Sequence, residues 1–122
     1  MKSILLIDDD PNISTLIVKM MDGSDYTVKV TSNEAEAVEF INSSENFDVA
    51  LVDFWLGYDN ATGLLDLLAT KRPDVPAVLI SGGDGKFSIE STHAVGQISG
   101  AVHFLQKPFR KNELMNILKS IT

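Results

Sequence analysis

Four short, nearly continuous apolar runs constrain this chain more than any other feature: Ser3 to Ile7, Phe47 to Val52 with Asp48 as its one interruption, Ala77 to Ile80, and Ala101 to Leu105. A strand with one wetted face alternates apolar and polar residues, whereas an unbroken run belongs to a strand covered on both faces. Between the runs the apolar spacing becomes helical: Ile13, Leu16, Ile17, Met20 and Met21, then Val38 and Ile41, then Leu64, Leu65, Leu67 and Leu68, and finally Leu114, Ile117, Leu118 and Ile121. One further strand, with Tyr26, Val28 and Val30 alternating with Thr27, Lys29 and Thr31, has the period-two pattern of an edge. Parallel strands need crossover connections, and right-handed crossovers place helices on both faces of the sheet. The pattern therefore predicts a doubly wound α/β fold, with five parallel strands in one domain spanning residues 1–122.

Local signals mark the element ends. Asp10 stands where it can cap a helix beginning at Pro11, and Asn33 with Glu36 three residues on makes a variant of the capping box. The second helix should end near Asn42-Ser43-Ser44, and Pro73 closes the third. From Gly82 to Gly100 the chain is glycine-rich, and a short fourth helix there is only weakly specified.

In an open α/β sheet, ligands bind beyond the carboxyl ends of the strands. The first strand ends in Asp8-Asp9-Asp10, the third in Asp53, the fourth in Ser81-Gly82 and the fifth in Lys107-Pro108. Each has an ordinary explanation taken alone: Asp10 as a helix cap, Asp53 as a turn residue, Lys107 as a solvated charge. Together they put a carboxylate pair, a third carboxylate, a hydroxyl and an ammonium on one edge. Carboxylates about 5 Å apart repel by about 3 kcal/mol per pair at an effective dielectric near 20, so Asp8, Asp9 and Asp53 would converge only around a cation. The chain has no cysteine and two histidines, which leaves oxygen ligands and favours Mg²⁺ over zinc. Mg²⁺, an ammonium and a hydroxyl facing one space suit phosphoryl transfer, and Asp53 could itself be the nucleophile.

These residues, in this order, resemble the receiver domain of two-component response regulators over essentially the whole chain, from Lys2 to Ile121. The resemblance implies the flavodoxin-like strand order 2-1-3-4-5. It makes Asp8 and Asp9 the acidic pair that holds Mg²⁺, Asp53 the phosphoacceptor, Ser81 the switch hydroxyl and Lys107 the phosphate-binding lysine before Pro108-Phe109. It also implies that Trp55 lends its backbone carbonyl to the metal and that Phe104 is the aromatic switch residue. A histidine kinase or histidine phosphotransfer protein would donate the phosphoryl group. The face of the last two helices and the final strand would then change towards an effector, with a phosphorylation-dependent homodimer as one form of output. Catalysis would be confined to the domain's own phosphorylation and dephosphorylation.

The sequence departs from the family's pattern in two places. The Leu56 to Thr62 loop carries a small insertion, and the segment from Ser81 to Lys107 is longer and richer in glycine than usual. Trp55 and Gly83 occupy positions that tune phosphate lifetime in the family, and a bulky Trp is not typical there. Two readings of Trp55 stand level: a cover that keeps water from the acyl phosphate, or a surface aromatic for docking.

The rival enzyme is a phosphatase resembling the haloacid-dehalogenase superfamily, with Asp8 as nucleophile and Asp10 as general acid. It leaves Asp53 without a role, has Asn12 where Thr or Val is usual, and finds only Glu113 where an acidic pair should follow Lys107. A flavin carrier of the same fold is excluded on charge, since three aspartates would repel the flavin phosphate. The N-terminus has no apolar stretch of signal-peptide type and no run is long enough to span a bilayer, so the expected location is the cytoplasm. The net charge of −7 opposes direct attraction to nucleic acid or an anionic membrane. That charge is polarised: fifteen acids against five bases up to Gly85, then two acids against five bases. The basic end includes Lys107, Arg110, Lys111 and Lys119, which points to an acidic surface on a protein partner.

Overall fold

The structure is a computed structural model that describes residues 2–53, 55–56, 59–60, 62–81 and 103–122. Seven strands and four helices follow one another along it. They are β1 (Lys2–Ile7), α1 (Pro11–Met21), β2 (Tyr26–Thr31), α2 (Glu34–Ile41), β3 (Val49–Asp53), β4 (Trp55–Leu56), β5 (Asp59–Asn60), α3 (Thr62–Lys71), β6 (Ala77–Ser81), β7 (His103–Gln106) and α4 (Lys111–Ile121). Five strands form one parallel sheet in the order β2-β1-β3-β6-β7. This is the anticipated 2-1-3-4-5 order once the short β4–β5 pair is set aside.

The unbroken apolar runs are explained by the two cores they separate. Leu5, Ile7, Ala50, Val52, Ala77 and Leu79 point to one face, where Ala37 and Ile41 of α2 and Leu64, Leu65 and Leu68 of α3 cover them. Ile4, Leu6, Val49, Leu51, Val78 and Ile80 point to the other, under Ile17 and Met21 of α1 and Leu114 and Leu118 of α4. Alternate residues thus face opposite cores, so no polar alternation can appear in β1, β3 or β6.

Helix ends follow their local signals. The Asp10 side chain accepts from the Asn12 N–H at 2.9 Å and caps α1. The Asn33 side chain accepts from the Glu36 N–H at 2.8 Å, as anticipated, but the Glu36 carboxylate accepts from Ser32 rather than Asn33, which shifts the reciprocal bond out by one residue. Arg72, just past α3, clamps the far end of α2. Its guanidinium donates to the carbonyls of Ile41 and Ser43 at 3.1 and 2.7 Å and lies 4.8 Å from the Phe47 ring centroid.

Three details differ from the sequence pattern. The third strand begins at Val49, two residues later than the apolar run, and extends to Asp53. The alternation in β2 fails at its end: Thr31 is buried and its hydroxyl donates to the Leu6 carbonyl at 2.9 Å, while Val30 remains exposed. The Leu56 to Thr62 segment read as a loop takes part in an antiparallel ribbon, in which Trp55, just before it, pairs with Asn60 and Leu56 with Asp59. The weakly specified helix expected between Gly82 and Gly100, together with Gly83, lies outside the described residues.

Candidate functional site

Strand register assembles the site. In adjacent β1 and β3, Ile7 pairs with Val52, so the residues that follow, Asp8 and Asp53, stand level at the carboxyl edge. Asp53 pairs with Ile80 across to β6, and Ser81 is the next and last residue of that strand. Ser81 pairs with Gln106 of β7, and Lys107 follows directly. Four strands from separate parts of the sequence therefore deliver Asp8, Asp53, Ser81 and Lys107 to one edge. The side chains of Ser81 and Trp55 lie outside the described residues.

Asp8, Asp9 and Asp53 each bring a carboxylate oxygen within 4.8 Å of the others. Asp8 and Asp53 are buried, whereas Asp9 is exposed. The Lys107 ammonium lies 3.4 Å from Asp53 Oδ1 and 3.5 Å from Asp8 Oδ2. Asp8 is fixed from two sides: its Oδ1 accepts from the Asp10 N–H at 2.9 Å, and its own N–H donates to the Thr31 carbonyl at 3.1 Å. The sequence pattern did not single out Thr31, because a threonine on the polar side of an edge strand looks like surface.

Three carboxylates against one ammonium leave a local charge near −2. The strain appears in the proton affinities. Burial, then the neighbouring Asp8 charge, raises Asp53 from its ordinary 3.8 to about 7, with Lys107 acting in the opposite direction. Burial also raises Asp8, partly offset by the Asp10 N–H and Lys107. Asp8 Oδ2 is buried and accepts no hydrogen bond among the described residues, where Lys107 approaches it only at ion-pair distance. An oxygen-only cluster with surplus negative charge and an unsatisfied buried carboxylate oxygen fits a hard divalent cation such as Mg²⁺. A structural role for the cluster alone would leave that oxygen with only the Lys107 ammonium, shared with Asp53, to offset its desolvation.

Asp10, the general acid of the rival phosphatase reading, lies outside the cluster and has its carboxylate engaged in capping α1. Phe104 stands in the row Ile7, Val52, Leu79, Phe104 across the sheet, half-buried against the core beneath α2 and α3.

Comparison with known proteins agrees with this geometry. The family model for the response regulator receiver domain matches residues 4–119. The regulatory protein VirG of Rhizobium rhizogenes is 38% identical over 94% of this chain and 46% of its own length. The crystal structure of a CheY-like response regulator receiver domain protein from Methanospirillum hungatei JF-1 superposes with a TM-score of 0.87 at 26% identity, covering 98% of this chain and 92% of that one. A response regulator protein from Burkholderia pseudomallei, whose crystal structure contains a phosphorylated aspartic acid, a calcium ion and citrate, gives a TM-score of 0.83 at 26% identity over 100% of this chain and 67% of the other. The chain spans about a quarter to a half of the length of the curated relatives it matches. The five-strand order, the acidic edge and the matched family model converge: this chain belongs to the response regulator receiver domain family.

Proposed function

We propose that the chain is a phosphoryl-accepting switch in which Asp53 is the nucleophile. The observation that carries this reading is the buried Asp53 carboxylate at the end of β3, level with Asp8 and 3.4 Å from the Lys107 ammonium. Asp53 attacks the phosphorus of a phosphohistidine or a small acyl phosphate. An Asp53–phosphorus bond forms as the bond to the imidazole nitrogen or carboxylate oxygen breaks, and the leaving group takes the electron pair. An ionised carboxylate needs no general base, but at neutral pH a group raised to about 7 is only partly ionised. Positive charge at the site therefore serves to ready the nucleophile as well as to bind phosphate.

Asp8, Asp9, Asp53 and the Trp55 backbone carbonyl would hold Mg²⁺. When bound, it would neutralise the carboxylates and the charge on the phosphoryl oxygens. The ribbon register supports the Trp55 assignment. Two residues separate Leu56 from Asp59, so that pair exchanges the hydrogen bonds, and the adjacent Trp55–Asn60 pair is of the kind whose N–H and C=O groups point away from the ribbon. Lys107 would follow the charge from Asp53 to a phosphoryl oxygen, and the Ser81 hydroxyl would donate to another. With β6 drawn to the phosphoryl group, Phe104 on neighbouring β7 would repack and change the face formed by β7, α4 and the segment between β6 and β7.

The donor in this reading is a histidine kinase or histidine phosphotransfer protein, and the recipient of the signal is an effector protein or domain, with phosphorylation-dependent homodimerisation as one form of output. The domain turns over its own phosphoryl group rather than an external substrate, and acts in the cytoplasm without contacting nucleic acid or membrane directly. Among the described residues, no helix is long and apolar enough to cross a membrane. Incubation with acetyl phosphate and Mg²⁺ followed by intact-mass measurement tests the proposal. A single phosphoryl adduct on the parent chain and none on Asp53→Asn is expected, whereas an equal adduct on the variant would refute it.

A further inference from the structure

We infer that the groove between the edge strand β2 and helix α2 binds an extended, basic segment of a partner protein, which adds as a sixth strand to the sheet. Strand β2 ends the sheet and pairs only with β1 among the described residues. The carbonyls of Asp25 and Thr31 accept from Lys2 and Asp8 on the β1 side. Because backbone groups alternate sides along a strand, Val28 and Val30 turn their N–H and C=O groups to the open edge. Such a row is a template for a further strand unless it is blocked. It is not blocked by bulk: Val30 is 36% exposed, and α2 leaves a groove along β2 floored by Phe40 and Phe47.

Charge selects the occupant. Glu36, Glu39 and Glu45 rim the groove, opposed among its described lining residues only by Lys29, whose ammonium lies 5.9 Å from the Phe40 ring centroid. Glu36 already accepts from Ser32, but Glu39 and Glu45 make no ion pair among the described residues. Helix α2 itself contains three glutamates and no basic residue. A second copy of this chain joined through β2 would bring two such helices together, and their like charges would oppose it. A segment alternating basic and apolar residues would instead pair its backbone with Val28 and Val30, direct its cations to the glutamates on the α2 face and lay its apolar side chains on the opposite face, beside the exposed Val18 and Val30.

The test uses the full chain, isotope-labelled, with a Lys-Val repeat peptide as probe and a Glu-Val repeat as control. The basic peptide is expected to protect the Val28 and Val30 amides from hydrogen exchange, and the acidic one is not. Val30→Pro removes only an outward N–H, which edge strands tolerate, so it should fold and abolish the protection. Reversing Glu39 and Glu45 to Lys should weaken binding roughly tenfold while leaving the strand paired to β1. Unchanged Val28 and Val30 exchange with the basic peptide, equal binding of the acidic peptide, or protection that rises with protein concentration alone would overturn the inference. Phosphorylation is not required for any of these outcomes, so they stand apart from the test of Asp53.

Discussion

Replacing Asp53 with Asn should make the metal-free protein more stable at mildly alkaline pH. Asp53 titrates at about 7 in the folded chain against an ordinary 3.8, chiefly because it is buried and secondarily because Asp8 is beside it. Between those two values the unfolded chain has lost the proton and the folded chain still holds it. Folding stability therefore falls as pH rises through this window, by about 1.4 kcal/mol per unit. Below about 4 both states are protonated and there is no penalty, while above about 7 the full penalty of roughly 4 kcal/mol remains. Asn keeps the shape and lacks the charge, so the variant should gain about 2–4 kcal/mol near pH 8, after allowance for burying its amide, and about 1 kcal/mol or less near pH 4.5. Urea unfolding of both proteins in EDTA at the two pH values reads this difference. A variant no more stable than the parent at pH 8, or a gain that does not shrink on acidification, would refute the account of a strained buried carboxylate. Saturating Mg²⁺ should then remove most of the variant's advantage.

Other parts of the structure carry their own expectations. Mg²⁺ at a hundred times its dissociation constant should stabilise the parent by about 2.7 kcal/mol, and Asp8→Asn should lose most of that at the same concentration in a thermal melt. Arg72→Ala should cost about 2–4 kcal/mol in chemical unfolding, since it leaves the Ile41 and Ser43 carbonyls without their donors and strips the cation from Phe47. Trp55→Asn should shorten the lifetime of the phosphorylated form in a dephosphorylation time course if the indole shields the acyl phosphate, and a variant that loses phosphate no faster would leave Trp55 to the docking reading.

The fold was legible because each strand buried on both faces leaves an unbroken apolar run, and because Asp10 and Asn33 are caps whose partners lie within three residues. The site was legible for a related reason: polar residues that end such runs must fall on one edge, so Asp8, Asp53 and Lys107 could be gathered before any distance was known. Contacts that depend on register or reach escaped. Thr31 looks like a surface residue until its pairing with Ile7 brings its carbonyl to Asp8. Arg72 carries no local sign that it spans to the carbonyls of α2, and the antiparallel pairing of Trp55 with Asn60 has too few residues to produce a periodic signal. The geometry of Asp8 Oδ2, buried without a hydrogen bond among the described residues, likewise depends on how far Lys107 can reach.

The central claim is that the phosphoryl group resides on Asp53, and reductive trapping tests it most directly. Borohydride converts an aspartyl phosphate to homoserine, so protein treated with acetyl phosphate and Mg²⁺, reduced and digested should yield homoserine at position 53. Homoserine at position 8 would contradict the account and restore the phosphatase reading, in which Asp8 is the nucleophile.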